Sequence, residues 1–183
     1  MKHNLDIIED LRIRLRPISL DDTKLIVKWR NMPSVKNNFI FRDVFTEEMH
    51  INWMKTKVAY GEVIQYIIEE KEKNRPIGSV YLRDIDKNHN SAEYGIFIGE
   101  EDARGKGYGT KTAELFVNHM FEKLKLHRIF LRVLAGNDSA YRSYEKIGFT
   151  KEGIAQDMIR VDGKYKDVIF MSIINQKETV ENE

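Results

Sequence analysis

The chemistry that the chain can support is most visible in Arg104-Gly105-Lys106-Gly107-Tyr108-Gly109-Thr110, which leads into a stretch with helical apolar spacing. Glycines leave backbone N–H groups free of side-chain crowding, and a helix N-terminus adds partial positive charge. Such a loop can hold phosphate oxygens without a metal. Arg104 and Lys106 can add charge-assisted contacts. Two common phosphate loops fail on spacing. A Walker loop ends in Gly-Lys-Ser/Thr, whereas this one ends in Gly109-Thr110-Lys111. A dinucleotide fingerprint started at Gly105 or Gly107 needs glycine where Thr110 or Thr112 stands. Cysteine is absent, which removes disulfides, cysteine-based zinc sites and a thiol nucleophile. The five histidines show no His-Glu-x-x-His spacing and no Gly-x-Ser-x-Gly elbow occurs, so neither a metal nor a serine nucleophile is expected.

The elements around that loop must fit in 183 residues, the size of one domain. Hydrophobic residues at 42% and charged residues at 32% allow a sizeable core and a solvated surface. Thirty basic against 29 acidic side chains provide no global field for nucleic acid or an anionic membrane. Acids and bases also interleave locally, as from Glu69 to Arg75, so no nucleic-acid partner is expected. The N-terminal MKHNLDIIED is charged where a signal peptide is apolar, and no apolar run reaches membrane-span length, so a cytoplasmic protein without a membrane partner is expected.

Period-two alternation predicts a strand over Leu11 to Pro17. A helix capped by Asp21 or Asp22 and a second one capped by Thr46 follow, the latter with Met49, Trp53 and Val58 on its apolar face. A three-stranded meander spans Val63 to Ile98, with strands at Val63–Glu70, Ile77–Asp84 and Ala92–Ile98. Ala113, Phe116, Val117, Met120 and Leu124 define the helix after the glycine loop. A strand at Arg128–Leu134 and a helix at Ser139–Ile147 stopped by Gly148 come next. A closing hairpin, Thr150–Val161 and Lys164–Ile174, turns at Asp162-Gly163. One domain over 1–183 results, with a core of about 11–174 and a polar tail at 176–183. Its class is α+β, a mixed, mostly antiparallel sheet.

Arg104-x-x-Gly107-x-Gly109 resembles the acetyl-CoA loop of the GNAT N-acetyltransferases. Asn137-Asp138-Ser139-Ala140, then Tyr144-Glu145-Lys146-Ile147-Gly148-Phe149, is similar to that family's Asn-x-x-Ala-x-x-x-Tyr-Glu-Lys-hydrophobic-Gly-Phe segment. The likeness continues through Glu152-Gly153 and the hairpin, and covers the N-terminal part more loosely. Ser143 departs from it, standing where a large apolar residue is usual, which implies looser helix packing.

The resemblance implies a sheet splayed at its central strand with helices on both faces, and acetyl-CoA as co-substrate. It places the pantetheine arm along the main chain of Ile96, Phe97 and Ile98. The diphosphate falls on the N–H groups of Arg104, Gly105, Lys106, Gly107, Tyr108, Gly109 and Thr110. Asn137, which also suits a helix N-cap, would bond the pantetheine. A main-chain N–H near Phe97 or Ile98 would meet the oxyanion. Tyr144, which equally suits a core position, becomes the general acid beside the cofactor. Glu93, just ahead of an expected bulge, becomes the general base through water, although a solvated glutamate reads as well. His50 is assigned to surface or packing.

For the acceptor, Trp29-Arg30-Asn31 and the following loop resemble a bacterial branch acting on nucleotide-linked amino sugars, as on the route to pseudaminic acid. Trp29, Phe39, Phe41 and Trp53 would stack on base or sugar, and Arg30 or Arg42 would meet a diphosphate; helix-core and loop-anchor roles read equally well. Ribosomal-protein N-terminal and polyamine acetyltransferases share the pattern, with Asp84, Asp86 and Glu93 as candidate polyamine carboxylates. An acetyl-CoA-binding domain without turnover is the reading from another class. The partner is then a small-molecule or peptide amine, with a homodimer left open.

Overall fold

A computed structural model describes residues 5–176. Apart from Gln176, the expected polar tail lies outside the described residues. Strands β1 (Ile8–Glu9) and β2 (Ile13–Pro17) precede three helices, α1 (Thr23–Asn31), α2 (Pro33–Lys36) and α3 (Glu47–Trp53). The meander is β3 (Ile64–Glu70), β4 (Arg75–Asp86) and β5 (Ser91–Ile98). Then come α4 (Tyr108–Leu124), β6 (Arg128–Leu134), α5 (Asp138–Ile147), β7 (Thr150–Val161) and β8 (Lys164–Ile174). The strands form one sheet in the order β1-β2-β3-β4-β5-β6-β8-β7.

Side-chain alternation along the strands feeds two cores, one on each face, so helices cover both faces as expected. Tyr66, Phe116, Met120, Ile129 and Phe149 fill the larger one, packed against α4 and α5. Ile26, Trp29, Val35, Met54, Ile67 and Phe97 form the smaller one under α1 to α3. Strand β5 serves both: Tyr94, Ile96 and Ile98 face the α4–α5 side, and Phe97 faces the α1–α3 side.

The closing hairpin has the turn its sequence demands, with Asp162 at φ 49° and Gly163 at φ 78°. Thr46 caps α3 by accepting the Met49 N–H at 3.2 Å. The apolar face expected on α3 is corrected, because Met49 is exposed while His50 and Met54 are buried. From Met54 to Val58 the helix widens into a π turn, which changes the side-chain period.

All sheet neighbours are antiparallel except β5 and β6. That parallel pair is joined only through Ser91–Arg128, Ala92–Ile129 and Glu93–Phe130. Beyond Glu93 the strands diverge, and the sheet opens at its centre. The bulge expected on β5 is corrected: β4 and β5 pair in regular register from Gly78–Ile98 to Arg83–Glu93, and the irregularity falls after Arg83, where Asp84 adopts φ 50°.

Candidate active site

A cleft of about 1020 Å³ follows this opening, from the start of α4 past β5 and α5 to α1 and the loop after α2. One end of it is built on the glycine loop. Gly105 (φ 71°) and Gly107 (φ 80°) take left-handed conformations that turn the chain into α4, with Gly107 as its N-cap. Arg12, before β2, pins this turn: Nη2 donates to the Lys106 carbonyl at 3.0 Å, and the guanidinium lies 4.9 Å from the Tyr108 ring centroid. Arg12 escaped the sequence reading, since nothing local marks a contact across 94 positions. Arg104 is largely committed within the protein, with Nε donating to the Ile98 carbonyl at 3.0 Å and Nη2 to the Gly99 carbonyl at 3.2 Å. Lys106 is exposed and lies outside the cleft lining.

The open edge of β5 can be assigned residue by residue. The Gly99 N–H donates to the Ile77 carbonyl, and the Phe97 carbonyl crowds Gly78, so these positions face β4. Alternation turns the backbone of Ile96 and Ile98 toward the open side. The expectation for Phe97 is therefore corrected: its main chain is engaged with β4, and a free N–H belongs to Ile96 or Ile98.

On α5, Asn137 is the N-cap, accepting the Ala140 N–H at 3.3 Å while also lining the cleft. Ser143 does not leave a gap. Its hydroxyl meets that of Thr110 at 2.8 Å and ties α5 to the start of α4. Tyr144 lines the cleft, its ring edge-on to Tyr94 at 6.1 Å and tilted against Phe149 at 5.9 Å. Burial, aided by the nearby Tyr81, pushes its phenol well above the ordinary tyrosine value.

The opposite end, where the sequence places the acceptor, differs most from expectation. Trp29 is 0% exposed and does not line the cleft; its indole lies against Gly99 and donates to Glu100 at 2.7 Å. Arg42 is likewise outside the lining. It anchors its own loop, donating to the Phe39 carbonyl at 3.1 Å and to the Asn37 carbonyl, with Asp162 at 3.8 Å. Arg30, Phe39, Phe41 and Trp53 do line it, with the Arg30 guanidinium 3.7 Å from the Phe39 ring centroid.

Glu93 is 4% exposed, neither solvated nor free to act as a base. It receives Arg83 Nε and Nη2 at 3.1 and 3.0 Å and Arg132 Nε and Nη2 at 2.9 and 3.0 Å. Burial pushes its pKa up, but hydrogen bonds from Arg132 and Arg83 outweigh this and hold it below the ordinary 4.5. Its stabilising contribution is therefore complete above that ordinary value and is lost as pH falls through the lower folded value. Glu93→Gln is expected to destabilise the fold by about 1–3 kcal/mol at neutral pH, a discounted cost because both arginines remain partly solvated. Thermal melts check this, and an unchanged melting temperature would contradict the structural role.

Arg83, Arg132 and Tyr81 were missed because only the β4–β5–β6 register brings them to Glu93. Tyr81 pairs with Gly95, and its ring occupies the space a β-carbon there would need, at 2.3 Å. His50 is 1% exposed and lines the cleft. Thr23 Oγ1 donates to the Leu20 carbonyl at 2.7 Å, so its contact with His50 Nδ1 at 3.0 Å uses the histidine proton. The bare Nε2 is enclosed with no protein partner, and burial lowers the pKa of the ring. Asp84 and Asp86, the candidate polyamine carboxylates, are absent from the lining. Among the described residues no group of three or more His, Cys, Asp or Glu side chains is placed to hold a metal ion, and no helix is long and apolar enough to cross a membrane.

Comparison with known proteins bears on this geometry. Residues 12–150 match the family model described as an acetyltransferase (GNAT) domain. A spermidine N(1)-acetyltransferase of Vibrio cholerae is 29% identical over 172 residues, covering 91% of this chain and 95% of that protein. A probable N-acetyltransferase of Bacillus subtilis, YjcK, is 37% identical over 137 residues, covering 73% of this chain and 75% of its own. The crystal structure of spermidine N-acetyltransferase from Vibrio cholerae, in complex with CoA and spermine, superposes with a TM-score of 0.86 at 25% identity, covering 93% of this chain and 99% of that one.

Proposed function

Because this chain belongs to the GNAT acetyltransferase family and is an acetyl-CoA-dependent N-acetyltransferase, we propose that it acetylates a primary amine by direct attack within a ternary complex. The seam between β5 and β6 carries this reading, since it brings backbone, glycine loop and Tyr144 to one cleft. The residues fit acetyl-CoA: the positive-φ glycines turn the chain so that amides at the start of α4 can take a diphosphate, and the β5 edge leaves the main chain of Ile96 and the Ile98 N–H for an extended arm, the Ile98 carbonyl being taken by Arg104.

Acetyl-CoA supplies an acetyl group already activated as a thioester. The N–H of Ile96 or Ile98 would donate to the acyl oxygen where charge develops. Tyr144, kept protonated by burial, would give a hydrogen to the departing sulfur. Asn137 would use its remaining amide hydrogens on the pantetheine. The acceptor would enter from the α1–α3 face, past Arg30, Phe39 and Phe41, and meet the thioester at the seam.

With Glu93 held as an ion pair, the amine itself sets the pH dependence. The acidic limb of kcat/KM is expected to move with the pKa of the acceptor when two amines of different basicity are compared. A limb fixed at one pH for both would reveal a base on the protein.

For the acceptor, the names of the Vibrio cholerae relatives support a polyamine. None of the three relatives is named for an amino sugar, so that expectation gains no support. A peptide N-terminus remains the other alternative. A cytoplasmic setting suits a reaction that consumes acetyl-CoA. A homodimer is retained in the proposal, with Ile154, Met158 and Tyr165 on the closing hairpin as exposed apolar surface.

A further inference from the structure

The α1–α3 end of the cleft is built around an excess of guanidinium groups. Tyr81 lies among Arg83, Arg30, Glu93 and Arg132, and all five line the cleft. Glu93 is the single carboxylate of that lining, and both arginines beside it already bond it in full. Asp84 stands 3.7 Å from Arg83 but is 70% exposed and outside the lining. Arg30 has no carboxylate partner among the described residues. It rests on Phe39 and Phe45, with ring centroids at 3.7 and 5.1 Å, and its Nε is enclosed without a hydrogen-bond partner. Three guanidinium charges thus face one carboxylate.

We infer that the acceptor amine carries an acidic oxyanion, carboxylate or phosphate, in the same molecule, and that Arg30 pairs with it. The inference rests on the acetyltransferase reading, and for the acceptor it departs from the polyamine that the relatives' names support. An oxyanion in the cleft would meet the Arg30 guanidinium, which lines it, and offset the excess charge. A polyamine would instead bring further ammonium groups against Arg30, Arg83 and Arg132, while Glu93, the one carboxylate in the cleft lining among the described residues, is already fully bonded. Phe39, lying under the guanidinium, fixes the plane that Arg30 presents.

Matched amines test this. CoA release is followed for glucosamine 6-phosphate against glucosamine, for β-alanine against its amide, and for spermidine, with wild type and Arg30→Gln. The binding of each to CoA-loaded protein is measured by calorimetry. The expected result is that the acidic member of at least one pair exceeds its neutral partner and spermidine in kcat/KM by about tenfold or more. The responding pair distinguishes phosphate from carboxylate, and the ratio should fall to near one in Arg30→Gln. A preference for spermidine or for the neutral amines overturns the inference, as does an acidic preference that survives in Arg30→Gln. If no amine releases CoA but the acidic members bind in an Arg30-dependent way, the acetyl-transfer reading fails while the anion-pairing assignment stands.

Discussion

Tyr144→Phe is expected to lower kcat by about one to two orders of magnitude while leaving the Kd for acetyl-CoA nearly unchanged. The ring contacts with Tyr94 and Phe149 survive this change, so α5 keeps its place and only the hydroxyl is lost. Because burial raises the phenol pKa, the hydroxyl is protonated through neutral pH, and the loss should be the same across that range. Steady-state kinetics give kcat, and calorimetric titration of acetyl-CoA gives the affinity. Unchanged turnover would remove Tyr144 from the mechanism.

The second large effect is expected at Gly107, and its cause is conformational. A β-carbon there would meet only Arg12 Nη1, at 3.9 Å, so space is ample. The φ of 80° is the obstacle, because a β-branched residue is strongly disfavoured in that region. Strain of about 1–3 kcal/mol would be relieved by rotating the loop amides away from the cleft. At 1.4 kcal/mol per decade, Gly107→Val should weaken acetyl-CoA binding by about five- to a hundredfold. Gly107→Asn, which tolerates left-handed backbone, should bind within a few-fold of wild type. Melting temperatures of both variants separate loop distortion from unfolding. A valine variant that binds normally would show that the phosphates do not rest on this loop.

Local chemistry made part of this legible. The bounds of β6, β7 and β8 are those expected, with the Asp162-Gly163 turn setting the hairpin, and α4 follows from its apolar spacing and the glycines before it. What needed distant partners did not show. Trp29 reads equally as a stacking aromatic or as helix core, and Gly99, far along the chain, decides for the core by lying against its indole. Glu93 reads as a solvated or catalytic acid until the β4–β5–β6 register supplies Arg83 and Arg132. His50 fits the packing role read for it, but its partner Thr23 lies on another helix, so the contact itself does not show in the sequence. Ser143 suggested looser packing because its partner, Thr110, belongs to another helix.

The short union between β5 and β6 has a mechanical side. Strands β1 to β5 and strands β6 to β8 pair with each other at only three positions, while one core packs beneath both. Whatever lies across the gap as an added rung acts as a strap between them. Resistance to heat and protease should therefore track how much of the nucleotide thioester is available, so that the molecule is sturdiest when its donor is plentiful.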